Sequence, residues 1–168
     1  MYIEPTPTPI ITVTPTPTTP PTEIVMIPSY LVPNPLTVET ISITDGLCSS
    51  YNGTEFILRG LPALKTIVIG DSCFGSVRVF ELDGLSELES VVIGQSSFRI
   101  DYDDRSDGSC RIVNCSKLKS IRISYWSFRD YHSFELNNLP SLQSIDIGDW
   151  CFYYAPALSL IGLIDVMH

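Results

Sequence analysis

Leu64-Lys65-Thr66-Ile67-Val68-Ile69-Gly70-Asp71-Ser72-Cys73-Phe74 reads as a leucine, two isoleucines at alternate positions, and a phenylalanine five residues further on. The spacing L-x-x-I-x-I-x-x-x-x-F returns at 88–98, 118–128 and 142–152, and at 38–48 with Val38 and Cys48 at its ends. The second isoleucine column is Ile43, Ile69, Ile93, Ile123 and Ile147, in steps of 26, 24, 30 and 24 residues. The column before it is Ile41, Ile67, Val91, Ile121 and Ile145. I-x-I has period two, so each unit predicts a short strand with both isoleucines on one face. One such strand cannot bury that face alone. Stacking the units as coils puts each isoleucine on its counterpart, about 4.8 Å away, in an in-register parallel sheet. The column Cys48, Phe74, Phe98, Phe128 and Phe152 then fills the coil interior.

A second motif lies between these units. Leu58/Leu61, Leu82/Leu85, Ile112/Cys115, Leu136/Leu139 and Leu160/Leu163 are each three apart. Two residues after the first member stands Gly60, Gly84, Asn114, Asn138 or Gly162. Gly and Asn tolerate φ > 0, so a left-handed turn is expected at this corner of every coil. The preceding triplets, from Phe56-Ile57-Leu58 to Leu158-Ser159-Leu160, also alternate and predict a second parallel sheet. Its outward column reads Ile57, Glu81, Arg111, Glu135 and Ser159. Arg111 falls between two glutamates, and opposite charges on neighbouring strands contribute roughly 0.2–1 kcal/mol each, which supports this register.

The eleven-residue unit resembles the conserved segment of leucine-rich repeats, L-x-x-L-x-L-x-x-N-x-L. Leu64-Lys65-Thr66-Ile67-Val68-Ile69-Gly70 and Leu142-Gln143-Ser144-Ile145-Asp146-Ile147-Gly148, with Phe at the last position, look most like BspA-like repeats, a type found in surface proteins of protists and some bacteria. The resemblance covers about residues 36–166. It implies a leucine-rich-repeat-type solenoid and a role in adhesion or protein recognition, and it assigns no catalytic residue. The chain departs from it at the asparagine column, which holds Gly46, Ser72, Ser96, Trp126 and Trp150. No asparagine ladder can form there, so the corner must satisfy its backbone in another way.

The expected fold class is therefore mainly β: a solenoid of about five coils with two parallel sheets over 36–168, centred on the five units, with an incomplete sixth unit from 163. Residues 1–35 are different material. Proline alternates with threonine at 5–9 and 14–21, and most of the chain's 13 prolines lie in this region. Proline removes backbone donors and fixes φ, so an extended, disordered spacer is expected.

Composition narrows the function. A net charge of −9 argues against nucleic-acid binding and against docking on anionic membranes. No run of 18 apolar residues predicts membrane insertion, and the first residues, Met1-Tyr2-Ile3-Glu4-Pro5, do not read as a signal peptide. The five cysteines fit no zinc spacing. Cys48 and Cys115 stand in core columns, and Cys110 in a Phe-like one. A Cys48–Cys73 bridge is left open. There is no Ser-His-Asp order, no H-E-x-x-H and no phosphate loop, so no enzyme, cofactor or metal is expected.

Three surfaces are candidate sites. Thr66, Val68, Ser90, Val92, Ser120, Arg122, Ser144 and Asp146 point outward from the I-x-I sheet, the face that binds partners in leucine-rich repeats. Tyr125, Trp126, Trp150, Tyr153 and Tyr154 lie near equivalent corners of the last two coils, either as a recognition edge for protein or sugar or as packing between coils. The long coil carries an insertion at 99–109 with Asp101, Asp103, Asp104 and Asp107. A solvated acidic loop is expected there over a calcium site, because the spacing is not that of an EF-hand. Asn52 and Asn114 match the N-glycosylation sequon, with Asn114 also explained as a turn residue.

The apolar run 158–164 is a poor polar cap, so a longer array or end-to-end self-association at this edge is expected. The primary expectation is a non-catalytic protein-recognition or adhesion module, at a cell surface or outside the cell. An intracellular scaffold of the same fold and a carbohydrate-binding or carbohydrate-active parallel β-helix are the alternatives.

Overall fold

The structure, a computed structural model, describes residues 10–13, 22–25, 36–100, 108–155 and 157–161, with side chains described at 36–100 and 108–155. Two strands, β1 (Ile10–Val13) and β2 (Thr22–Val25), precede the repeat. Each I-x-I segment is then a strand of one sheet, in alternation with a strand of another. They run β3 (Thr40–Ile43), β4 (Glu55–Leu58), β5 (Thr66–Ile69), β6 (Val79–Asp83), β7 (Ser90–Ile93), β8 (Gly108–Val113), β9 (Ser120–Ile123), β10 (Tyr131–Asn137), β11 (Ser144–Ile147) and β12 (Ala157–Ile161). No helix occurs among the described residues.

The odd-numbered strands from β3 to β11 form one parallel ladder, and the even-numbered strands from β4 to β12 form the other. The chain is a β-solenoid of stacked coils, about four turns from β3 to β11. The register is the expected one: Ile43 on Ile69, Ile69 on Ile93, Ile93 on Ile123 and Ile123 on Ile147. In the second sheet Ile57, Glu81, Arg111, Glu135 and Ser159 are in line. Inward isoleucines in β3, β5, β7 and β9 are buried, and the intervening residues are half-buried or exposed. Each fully buried isoleucine contributes about 1.5–3 kcal/mol of transfer free energy.

The Pro/Thr runs that predict a spacer lie outside the described residues. The two strands within 1–35 take the proline-free tetrads Ile10-Ile11-Thr12-Val13 and Thr22-Glu23-Ile24-Val25, as the missing donor of proline requires. β1 pairs antiparallel with β3 and with β2, so the first coil's edge is covered by backbone rather than by a polar cap. The acidic segment 101–107, Gly162 and the sixth unit also lie outside the described residues.

Aromatic rings fill the interior as two columns. Phe74, Phe98, Phe128 and Phe152 stack with centroids 5.1, 4.7 and 5.2 Å apart, near-parallel at 14°, 2° and 4°. Phe56 and Phe80 stack from the second sheet at 5.1 Å and meet the first column edge-on. Cys110 interrupts this second column, and Tyr131 supports the interior there. Its ring lies edge-on to Phe128 at 4.9 Å, and its buried hydroxyl donates to Val77 O at 2.6 Å. That bond runs from the coil of β9 and β10 back to the coil of β5 and β6, so coils do not touch only their neighbours.

The expected left-handed corner is present at Gly60, Gly84, Asn114 and Asn138, with φ between 54° and 67°. A second strained corner, unexpected from the sequence, follows the odd-numbered strands. Ser72, Ser96, Trp126 and Trp150 have φ of 56–65°, and Phe74, Phe98, Phe128 and Phe152 have φ of 51–63°. The first of these residues turns its N–H toward the following coil: Ser72 to Gln95 O, Ser96 to Tyr125 O, Trp126 to Asp149 O. The phenylalanine two residues later turns its N–H back, Phe98 to Cys73 O and Phe128 to Ser97 O. The reversals at Ser72, Phe74, Ser96, Phe98, Trp126 and Phe128 each make an intercoil bond, which offsets a left-handed cost of about 1 kcal/mol per residue.

Candidate functional site

The residue between those two left-handed positions holds the corner together. It is Cys73, Ser97, Ser127 or Cys151. Ser97 Oγ accepts from Cys73 N at 3.0 Å and donates to Gly70 O at 2.7 Å. Ser127 Oγ accepts from Ser97 N at 3.2 Å and donates to Gly94 O at 2.6 Å. Cys73 and Cys151 donate to Thr44 O and Ser124 O, the same place in their preceding coils. This buried hydroxyl and thiol ladder does the work an asparagine ladder would do. Outside it, Asp45 Oδ1 accepts from Asp71 N, and Asp71 Oδ1 accepts from Gln95 N.

On that frame stands the aromatic corner. Tyr125, Trp150, Tyr153 and Tyr154 are all exposed, with Trp150 at 49% and Tyr153 at 55%. Tyr125 stacks on Trp126 at 5.1 Å, and Trp150 packs against Tyr153 at 5.0 Å. The Arg99 guanidinium lies 4.7 Å from the Trp126 ring centre, and that of Arg129 lies 5.6 Å from it and 5.7 Å from the Tyr154 ring. Trp126 Nε1 is buried without a hydrogen-bond partner. Trp126 is half-buried between the two arginines. The other four rings turn much of their surface outward. The two arginines were not in the expected set, and only stacking brings Arg99 of one coil over Trp126 of the next.

The expected outward face of the β3–β11 sheet is in register but self-satisfied. Ser120 Oγ donates to Ser90 Oγ at 3.3 Å, and Thr66, Ser90 and Ser120 share one row, with Ser144 beyond. Val68 and Val92 are half-buried in the next row. Arg122 pairs with Asp146 at 3.2 Å, both about two-thirds exposed, a surface pair worth about 0–1 kcal/mol. The outer face of the other sheet is a charge ladder. Glu81 lies between Arg59 and Arg111, and Arg111 Nε reaches Glu135 at 2.8 Å.

Among the described residues no group of three or more His, Cys, Asp or Glu could hold a metal ion. All five cysteines are free. His132 and Cys110 line one shallow opening with Ser109, Ser133 and Glu135, a proximity the sequence did not suggest. Burial pushes the Cys110 thiol well up, the opposite of what a nucleophile needs. Asn52 is exposed. Asn114 is committed elsewhere: its Nδ2 donates to Asp83 at 2.8 Å and its Oδ1 accepts from Asn138 at 2.9 Å. Among the described residues β11 has β9 as its one strand partner, and Ile147 is 37% exposed. No protein-family model, curated protein or solved structure matches this chain.

Proposed function

We propose that the chain is a non-catalytic protein-recognition module of leucine-rich-repeat type, and that the aromatic corner is its contact surface. One observation carries the reading: Trp126, Trp150, Tyr125, Tyr153, Tyr154, Arg99 and Arg129 gather at one corner of successive coils. Trp, Tyr and Arg are the residues in which binding energy concentrates at protein interfaces. The outward sheet face offers Arg122 alone, and that side chain is already paired. The corner is also rigid, because the buried serine ladder and the stacked phenylalanines beneath it fix the backbone that carries the rings. Little ordering entropy is then lost on binding.

The test is selection from a displayed library of small protein domains, with counter-screening on variants. Ligands selected on the native chain lose about 30-fold or more in affinity on Trp150→Ala/Tyr153→Ala, the scale of a hot-spot truncation. They bind Arg122→Ala unchanged. Selected ligands that bind both variants alike would move the site off the corner. A glycan array and a glycan hydrolysis assay run beside it. Saturable binding of a sugar at the same rings would replace the protein partner by a carbohydrate one.

A further inference from the structure

Cys48 and Cys73 are both fully buried and both free. They sit in the first and second coils, where Phe74 N donates to Cys48 O at 3.1 Å. That bond makes Cys48 and the 73–74 peptide neighbours across adjacent coils. Adjacent strands lie about 4.8 Å apart, inside the roughly 4.4–6.8 Å separation of Cα atoms that a disulfide spans. Each thiol lies close enough to the other to shift its ionisation. The other three stand apart from any cysteine: Cys115 donates to Val113 O, Cys151 donates to Ser124 O, and Cys110 is buried beside Tyr131.

We infer that Cys48 and Cys73 are a built thiol pair that closes to a disulfide between the first two coils, by exchange with a low-molecular-weight disulfide. The pair gives up one proton more readily than two. The Cys48 side chain beside it holds the Cys73 thiol below the ordinary thiol range, while the same neighbour and burial hold the proton on Cys48. That leaves one sulfur as the attacking thiolate. The Cys73 thiolate attacks one sulfur of oxidised glutathione. The S–S bond of glutathione breaks, a mixed disulfide forms, and a glutathione thiolate leaves and takes up a proton. Cys48 then gives its proton to solvent and its sulfur attacks Cys73, which expels the second glutathione thiolate. Two protein thiols are oxidised and one glutathione disulfide is reduced to two thiols. The bond would tie the first coil to the second. Access for the oxidant comes with local opening of the first coil.

The experiment uses the full chain, folded, in buffers of graded oxidised-to-reduced glutathione. After quenching and alkylation the cross-linked peptides are mapped by mass spectrometry. The expected product has lost two hydrogens, carries a single Cys48–Cys73 bond, and is alkylated at Cys110, Cys115 and Cys151. Its Tm lies above that of the reduced chain, and Cys48→Ala and Cys73→Ala show no such rise on oxidation. Native chain that stays fully reduced at every ratio overturns the inference. So does one that pairs other cysteines, or that forms the Cys48–Cys73 bond only in denaturant. The primary readout is on the unaltered chain, so a variant that folds poorly does not decide the matter.

Discussion

Each coil turns two tight corners, and they solve the same problem differently. The corner after the even-numbered strands uses one left-handed residue, Gly60, Gly84, Asn114 or Asn138. These residue types reach φ > 0 at little cost. The corner after β5, β7, β9 and β11 uses two, and fills them with serine, tryptophan and phenylalanine, whereas the corner after β3 uses Gly46 alone. Here the side chain is chosen for burial or surface, and the backbone cost is met by intercoil hydrogen bonds. A left-handed turn leaves its mark on a sequence only where nothing stronger selects the residue.

The largest effect should come from removing the packing that forces the phenylalanine corner. Phe98 stacks between Phe74 and Phe128 and meets Phe80 edge-on at 5.0 Å. Phe98→Ala should cost about 3–5 kcal/mol, read as a lower urea midpoint with the far-UV β signal as probe. A loss below about 1 kcal/mol would mean that the column is not what holds φ positive there. Next in size is the hydroxyl ladder. Ser127→Ala strands Ser97 N and Gly94 O, both satisfied by Ser127 Oγ, in the interior. Leaving such groups unpaired costs about 1–3 kcal/mol. Ser127→Cys should recover part of it, because Cys73 and Cys151 fill the same position in other coils.

The third prediction sets the corners directly against each other. At Ser96 only the backbone N–H is committed, to Tyr125 O at 3.0 Å, and Gly46 occupies the equivalent position of the first coil with open space where a Cβ would stand. Ser96→Gly should therefore stabilise the chain by about 1 kcal/mol. Asn138→Gly relieves less strain and loses the bond to Asn114, so it should be neutral or slightly destabilising. Equal effects in chemical denaturation would erase the distinction between the corners.

Much of the fold is legible in the residues themselves. The isoleucine columns give the strands and their register because a buried period-two face tolerates little else. The Gly/Asn column gives one corner, and Glu81, Arg111 and Glu135 give the order of the second sheet. The other corner is illegible for a physical reason: Phe98 would be phenylalanine in any buried column, whatever its φ. The ladder through Ser97 and Ser127 is hidden because serine and cysteine share the position, unlike a run of asparagines. Tyr131 could not be read as an interior plug, since its hydroxyl bonds to a residue 54 positions away. The aromatic corner was half visible. Its rings recur at the same coil positions, but Arg99 joins them only through stacking. The sequence carries one further signal: Glu39, Lys65, Glu89 and Lys119 alternate in sign at the second position of successive units, and they pair as Lys65–Glu39 at 3.1 Å and Lys119–Glu89 at 2.8 Å.

That charge column gives the smallest effect, and it separates the corners by pH. It runs past the Gly/Asn corner, whose outer surface also carries Lys117–Glu87 at 2.7 Å. Lys119, through its hydrogen bond and its charge, holds the Glu89 carboxyl below the usual glutamate range. A carboxylate with a lowered folded pKa stabilises the fold fully above its unfolded pKa, and loses that contribution as pH falls through the folded one. Acid below about pH 4.5 should therefore loosen this corner, and added salt should do so at neutral pH by screening. At Ser97 and Phe128 the other corner is held by a serine hydroxyl and a backbone carbonyl over phenylalanine rings, none of which titrates. Amide exchange corrected for its intrinsic pH dependence should then show less protection at Lys119 and Ser120, whose N–H groups bond Glu89 O. Protection at Ser97 and Phe128 should hold over the same range. Acid that opens both corners together would show that the coil yields as one unit, with its charge column and its hydroxyl ladder energetically inseparable.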